Sequence, residues 1–72
     1  MGETGISGGK VNINTADLSV LETLPQIGRV RAGAIIEYRN ANGGFRSIED
    51  LLKVSGIGTG IFNQLRDLIT VQ

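Results

Sequence analysis

The sequence predicts an all-α domain on three observations: apolar residues recur at three- and four-residue spacing, one helical unit occurs twice, and glycine-bearing loops separate the helices. Laying Ile27-Gly28 on Ile57-Gly58 is a shift of 30 positions. The same shift carries Leu18 onto Ile48, Leu21 onto Leu51, Leu24 onto Val54 and Ile35 onto Leu65. Each copy reads as a short helix, a glycine loop and a longer helix. Neither copy can bury its apolar stripe alone, so the two helical hairpins are expected to pack about a pseudo-two-fold axis into one core.

In the first copy, about residues 14–41, Asn14 or Thr15 is expected to cap a helix carrying Leu18, Leu21 and Leu24, which Pro25 then stops. A longer helix follows from Arg29 to about Ala41, with Val30, Ala34, Ile35 and Tyr38 on its apolar face. The run NANGG at 40–44 ends it, because asparagine and glycine tolerate left-handed backbone. In the second copy, about residues 45–70, Ser47 caps a helix carrying Ile48, Leu51 and Leu52, with Asp50 as the acid of a capping box. Its long helix runs from Thr59 to about Ile69, with Phe62, Leu65, Leu68 and Ile69 facing inward. Val11 to Ile13 and Ile69 to Val71 are short apolar alternations that can lie side by side, but no sheet is predicted. Residues 1–10, rich in glycine and polar side chains, are expected to be a flexible tail, leaving 11–72 as the folded domain.

Composition removes most chemistries. The chain has 72 residues, enough for one domain, with no cysteine and no histidine. Disulfides, thiolate or imidazole metal sites and any nucleophile–histidine pair are thereby excluded. Seven basic and seven acidic side chains give a net charge of zero, without the broad basic footprint of strong nucleic-acid binders. No apolar run reaches the length of a membrane span. The anomaly is eleven glycines. Four of them, Gly28, Gly56, Gly58 and Gly60, stand where a loop feeds a helix, and such a junction combines unpaired backbone N–H groups with the positive end of the helix dipole. An anion, phosphate above all, is its natural ligand. Gly56, Gly58 and Gly60 would let a ligand approach the backbone closely, while Ile57, like Ile27, is expected to point inward and anchor its loop.

Two nucleotide motifs fail on spacing. The dinucleotide fingerprint needs a third glycine where Ile61 stands, and a P-loop ending at Gly9-Lys10 would need a glycine at Thr4 and a hydroxyl at Val11. A phosphate site that occurs twice suits a polymer of phosphates better than a nucleotide.

The segments LPQIGRVRAGAII at 24–36 and VSGIG at 54–58 resemble tandem helix-hairpin-helix motifs. NINTAD and GGFRSIEDLLKVSGIG resemble one branch of them, the DNA-receptor domain of bacterial competence proteins of the ComEA family, over about Val11 to Gln72. That resemblance implies a SAM-like fold of four to five short helices, and binding of double-stranded DNA without sequence preference through backbone phosphates. Carried onto this sequence, the DNA-binding positions are Gly28, Arg29, Val30 and Arg31 in the first hairpin and Gly56, Ile57, Gly58, Thr59 and Gly60 in the second. The halves depart from the pattern differently: Gln26 replaces a glycine in the first, and Ile61 stands where the first has Arg31. The resemblance implies no cofactor beyond a monovalent cation at a hairpin loop, and no small-molecule substrate. It places the domain on the outer face of a bacterial membrane, through an anchor or channel protein outside this chain. An enzyme is not expected, since so short a chain has no room for a base-flipping pocket. The competing reading is a protein-docking module with a degenerate phosphate site.

Overall fold

Asp17, rather than Asn14 or Thr15, starts the first helix in the computed structural model, which describes residues 5–71. Its backbone is extended, and its Oδ1 accepts from the Val20 N–H at 3.0 Å and from the Ser19 hydroxyl at 3.1 Å. Helix α1 is a single turn, Leu18–Leu21. Turn bonds continue it, Leu24 N–H donating to the Leu21 carbonyl at 3.1 Å and Ile27 N–H to that of Leu24 at 3.1 Å. Leu21 and Leu24 are thereby buried.

Helix α2 spans Arg29–Asn42 and ends on Gly43, whose φ of 75° is the left-handed cap that NANGG predicts. Its buried face is Ala32 and Ile35, with Ala34, Ile36 and Tyr38 packed at the margin. Val30 was expected on that face and is instead 85% exposed. It stands in the first turn, where α2 has not yet reached the core.

The second unit begins with a 3-10 helix, Ile48–Lys53, not an α-helix. Ser47 is its N-cap by position, but its side chain makes no capping hydrogen bond. Asp50 Oδ2 reaches back to accept from the Arg46 N–H at 2.9 Å, one residue before the cap, a variant of the expected capping box in which the Ser47 side chain takes no part. Leu51 is fully buried, whereas Leu52 is exposed. Helix α3 is Thr59–Leu65, shorter than the sequence suggests.

The shortening has a cause. Leu68 turns outward and Ile69 leaves the helix to form a strand, which corrects the all-α expectation. Strands β1 (Ile6–Ser7), β2 (Lys10–Asn12) and β3 (Ile69–Thr70) make a sheet in the order β1-β2-β3. β1 pairs antiparallel with β2, and β2 pairs parallel with β3, Val11 opposite Ile69. Val11 N–H donates to the Leu68 carbonyl at 2.9 Å and Ile13 N–H to that of Thr70 at 3.0 Å. Burying Val11, Ile13 and Ile69 between the helices requires their backbone groups to be paired, and the sheet pairs them. The expected tail is likewise revised: residues 5–10 belong to the fold, with Gly5 buried against Ala16, while residues 1–4 lie outside the described residues.

The domain is mostly helical. One core gathers Val11, Ile13 and Ala16 from the first segment with Leu21, Ile35, Leu51, Phe62, Leu65 and Ile69. Tyr38 stacks on Phe45 with ring centroids 5.1 Å apart, so both rings serve packing. Arg39 donates from Nη1 to the Ile13 carbonyl at 2.9 Å, tying α2 to the end of β2. Burial lowers the pKa of this guanidinium and neighbouring Asp17 partly offsets the effect.

Candidate nucleic-acid interface

Two loops lead into helices in the same way. Ile27 and Ile57 are 3% and 4% exposed, so both isoleucines plug the core as the sequence predicts. Each plug is fixed by its own amide, Ile27 donating to Leu24 and Ile57 to Val54 at 3.1 Å. Ile57 therefore enters the site as an anchor: its side chain is buried and its N–H is spent. The next residue caps the following helix, Gly28 with φ −92° and ψ −165° and Gly58 with φ −102° and ψ −174°. The two caps superpose in backbone conformation.

Neither glycine can supply a capping side chain. The first intrahelical bonds are Ala32 N–H to the Gly28 carbonyl and Phe62 N–H to the Gly58 carbonyl, both at 2.9 Å. The amides of Arg29, Val30 and Arg31, and of Thr59, Gly60 and Ile61, precede those bonds and have no intrahelical acceptor. Gly28, Arg29, Val30, Gly56, Gly58, Thr59 and Gly60 are all exposed. Nothing lies within 4 Å of where a Cβ would stand on Gly28, Gly58 or Gly60, so the surface over these amides is open.

The two loops also meet. A shallow depression of about 450 Å³ is lined by Gly28, Arg29, Val30 and Arg31 from one loop and by Ser55 and Gly56 from the other. Gly58, Thr59 and Gly60 do not line it. Ser55 was not singled out from the sequence, although a hydroxyl directly before Gly56 in a polar loop is a usable signal.

The cations are less free than their spacing suggests. Arg29 Nε lies 3.9 Å from Glu22 Oε2, a long and exposed pairing. Arg31 donates from Nε to the Gly56 carbonyl at 2.8 Å and from Nη1 to the Gln26 carbonyl at 3.1 Å. Gln26 has a φ of 67°, the left-handed conformation that Gly56 adopts thirty residues later at 91°. A non-glycine residue here costs about 1–2 kcal/mol of backbone strain. Gln26 thus takes the same left-handed backbone region as its glycine counterpart. No cluster of three or more candidate metal-ligating side chains occurs among the described residues, and no helix among them is long and apolar enough to cross a membrane.

Paired glycine-capped helix starts behind buried isoleucines define a class. Residues 7–70 match the family model of the helix-hairpin-helix motif, and the chain belongs to that family. The resemblance to the competence branch also holds. Over 68 residues the chain is 48% identical to ComE operon protein 1 of Bacillus subtilis, covering 94% of this chain and 33% of that protein. It is 45% identical over 62 residues to human endonuclease/exonuclease/phosphatase family domain-containing protein 1, covering 86% of this chain and 11% of that protein. An uncharacterized Haemophilus influenzae protein is 44% identical over 61 residues, 83% of this chain and 54% of its own length. The chain thus spans a third of the Bacillus relative and about a tenth of the human one.

Proposed function

We propose that this domain binds double-stranded DNA without sequence preference, as a tandem pair of helix-hairpin-helix units holding backbone phosphates. The observation that carries the reading is the matched pair of glycine caps at Gly28 and Gly58, each leaving three first-turn amides without an intrahelical acceptor. A single such turn is a common way to start a helix. Two in one small domain, with the same backbone angles, offer anion sites at a fixed separation, as a polyphosphate backbone requires. Arg29 adds charge to the first site, and the glycines keep the second open to close approach. No base-reading platform is involved, because Tyr38, Phe45 and Phe62 are engaged in the core.

Similarity to ComE operon protein 1 supports a place in bacterial DNA uptake for the longer protein, as an extracytoplasmic DNA receptor. The domain itself is read as non-enzymatic; the human relative shares only this small region with it. Titrating a fluorescent duplex at several salt concentrations tests the reading. A slope of log affinity on log salt of roughly −2 to −4 is expected, at about −0.9 per neutralised phosphate. Absence of binding at low salt would refute it.

One observation favours a second reading. Arg29 faces an acid, Arg31 is engaged with backbone carbonyls, and net charge is zero, as a protein-docking module would allow. Substituting Gly58 by Asp places a negative charge over the second amide cluster. Loss of duplex binding in that variant supports DNA, whereas retention of a protein partner without any duplex binding in the wild type supports docking.

A further inference from the structure

The guanidinium of Arg31 joins the two loops at equivalent points. Its acceptors, the carbonyls of Gln26 and Gly56, belong to the left-handed residues of the two loops, 30 positions apart. The stem of the side chain lies beside Gly56: a Cβ there would stand 3.7 Å from Arg31 Cγ and 3.8 Å from Nε. The arrangement has no counterpart from the other side, because Ile61 occupies the corresponding position of α3. A single residue therefore spans what is otherwise a repeated structure.

Charge explains why the contact is favourable. Arg31 sits in the first turn of α2, where a cation opposes the positive end of the helix dipole. Two carbonyl oxygens supply the compensating negative ends of their own dipoles. The rigid planar fork of arginine lets Nε and Nη1 bond two different loops at once, whereas lysine offers one flexible point.

We propose that Arg31 is a positioning residue, a latch that fixes the separation of the two amide clusters, rather than a phosphate ligand. This rests on the DNA-binding reading for its function, but the latch itself exists in the free protein. With the latch closed, Arg29–Arg31 and Thr59–Ile61 present their amides at one spacing. Released, each loop moves on its own anchor.

The test compares Arg31→Lys and Arg31→Met with the wild-type chain by two readouts. The first is hydrogen exchange of the Ile27 and Ile57 amides in the free protein, the bonds that seat each loop. The second is affinity for a short fluorescent duplex across a salt series. Both substitutions should speed exchange at both amides, on the order of tenfold, as expected for loss of charge-assisted hydrogen bonds. The lysine variant should bind the duplex as weakly as the methionine variant, with the salt slope of the wild type kept in both. A phosphate ligand behaves differently: lysine would restore wild-type affinity, and methionine would flatten the slope by about 0.9. Wild-type affinity in the lysine variant, or unchanged exchange at both amides, overturns the proposal. If the wild type fails to bind any duplex, the functional reading falls, and the exchange measurement alone still decides whether the latch exists.

Discussion

The side-chain amide of Asn14 satisfies both backbone polar groups of Phe45: its Nδ2 donates to the Phe45 carbonyl at 3.0 Å, and its Oδ1 accepts the Phe45 N–H at 2.6 Å. The two residues are 31 positions apart, so this amide bonds the start of the first unit to the start of the second. Phe45 is 4% exposed, which leaves its backbone little access to water. Asn14→Ala orphans both groups and should cost about 2 kcal/mol, at the scale of a buried unsatisfied donor and acceptor. Urea denaturation with an unchanged m-value would measure it.

Gln26 carries left-handed backbone without being glycine. Replacing it by glycine removes that strain but enlarges the freedom of the unfolded chain, so a net gain of about 0.5–1 kcal/mol is expected. The Arg31 bond to this residue uses the carbonyl and survives the change. A loss of thermal stability in Gln26→Gly would show that the glutamine side chain contributes something its backbone does not.

Glu22 pairs with the more exposed of the two arginines beside the first cap. Glu22→Gln removes the acid and leaves Arg29 to an incoming phosphate. Duplex affinity should rise about threefold, the scale of an exposed ion pair, with a salt slope steeper by no more than about 0.9. A fall in affinity would mean that the pairing orients Arg29 instead of restraining it.

Asp50 carries a pH dependence of known sign. The Arg46 N–H holds its carboxyl below the usual range, burial works against this, and Lys53 at 3.6 Å reinforces it. A lowered folded pKa means that the stabilisation is complete above the unfolded value of about 3.9 and is lost as pH falls through the folded one. Asp50→Asn should therefore be less stable than wild type at neutral pH. The two melting temperatures should converge below about pH 4.

Val30 and Ile35 lie on the same helix with opposite burial, 85% against 0% exposed. Ile35→Ala should cost about 2–5 kcal/mol by leaving a cavity. Val30→Ala should fall within about 0.5 kcal/mol of wild type, because this side chain is exposed in the first turn of α2. Comparing both by denaturation and by duplex titration separates core from surface.

The parts of the molecule legible in the sequence are the repeated loops and the glycine stop of the first long helix. Ile27 and Ile57, the glycine caps after them and the Gly43 stop follow from local residue types and hold in the structure. The first cap was less accessible, since NINTAD offers four polar candidates within six residues and only the direction of the backbone selects Asp17. Val30 was misplaced because periodicity marks an apolar residue without saying where the helix meets its neighbours. Residues 11–13 and 69–71 are legible as segments that can lie side by side, and they do, but two- and three-residue strands are too short for their pattern to predict a sheet. The two bonds of Arg31 end on main-chain oxygens, which no side-chain pattern encodes.

The parallel pairing of Val11 with Ile69 gives the domain a seam. Contacts between neighbours in sequence are quick to form, whereas this closure joins residues 58 positions apart. Both glycine loops precede residues 69–70 in the chain, so this short strand is the fastener that closes the domain. Removing residues 69–71 would take away the acceptor of the Ile13 amide, along with the buried Ile69 side chain, and open the core along its edge.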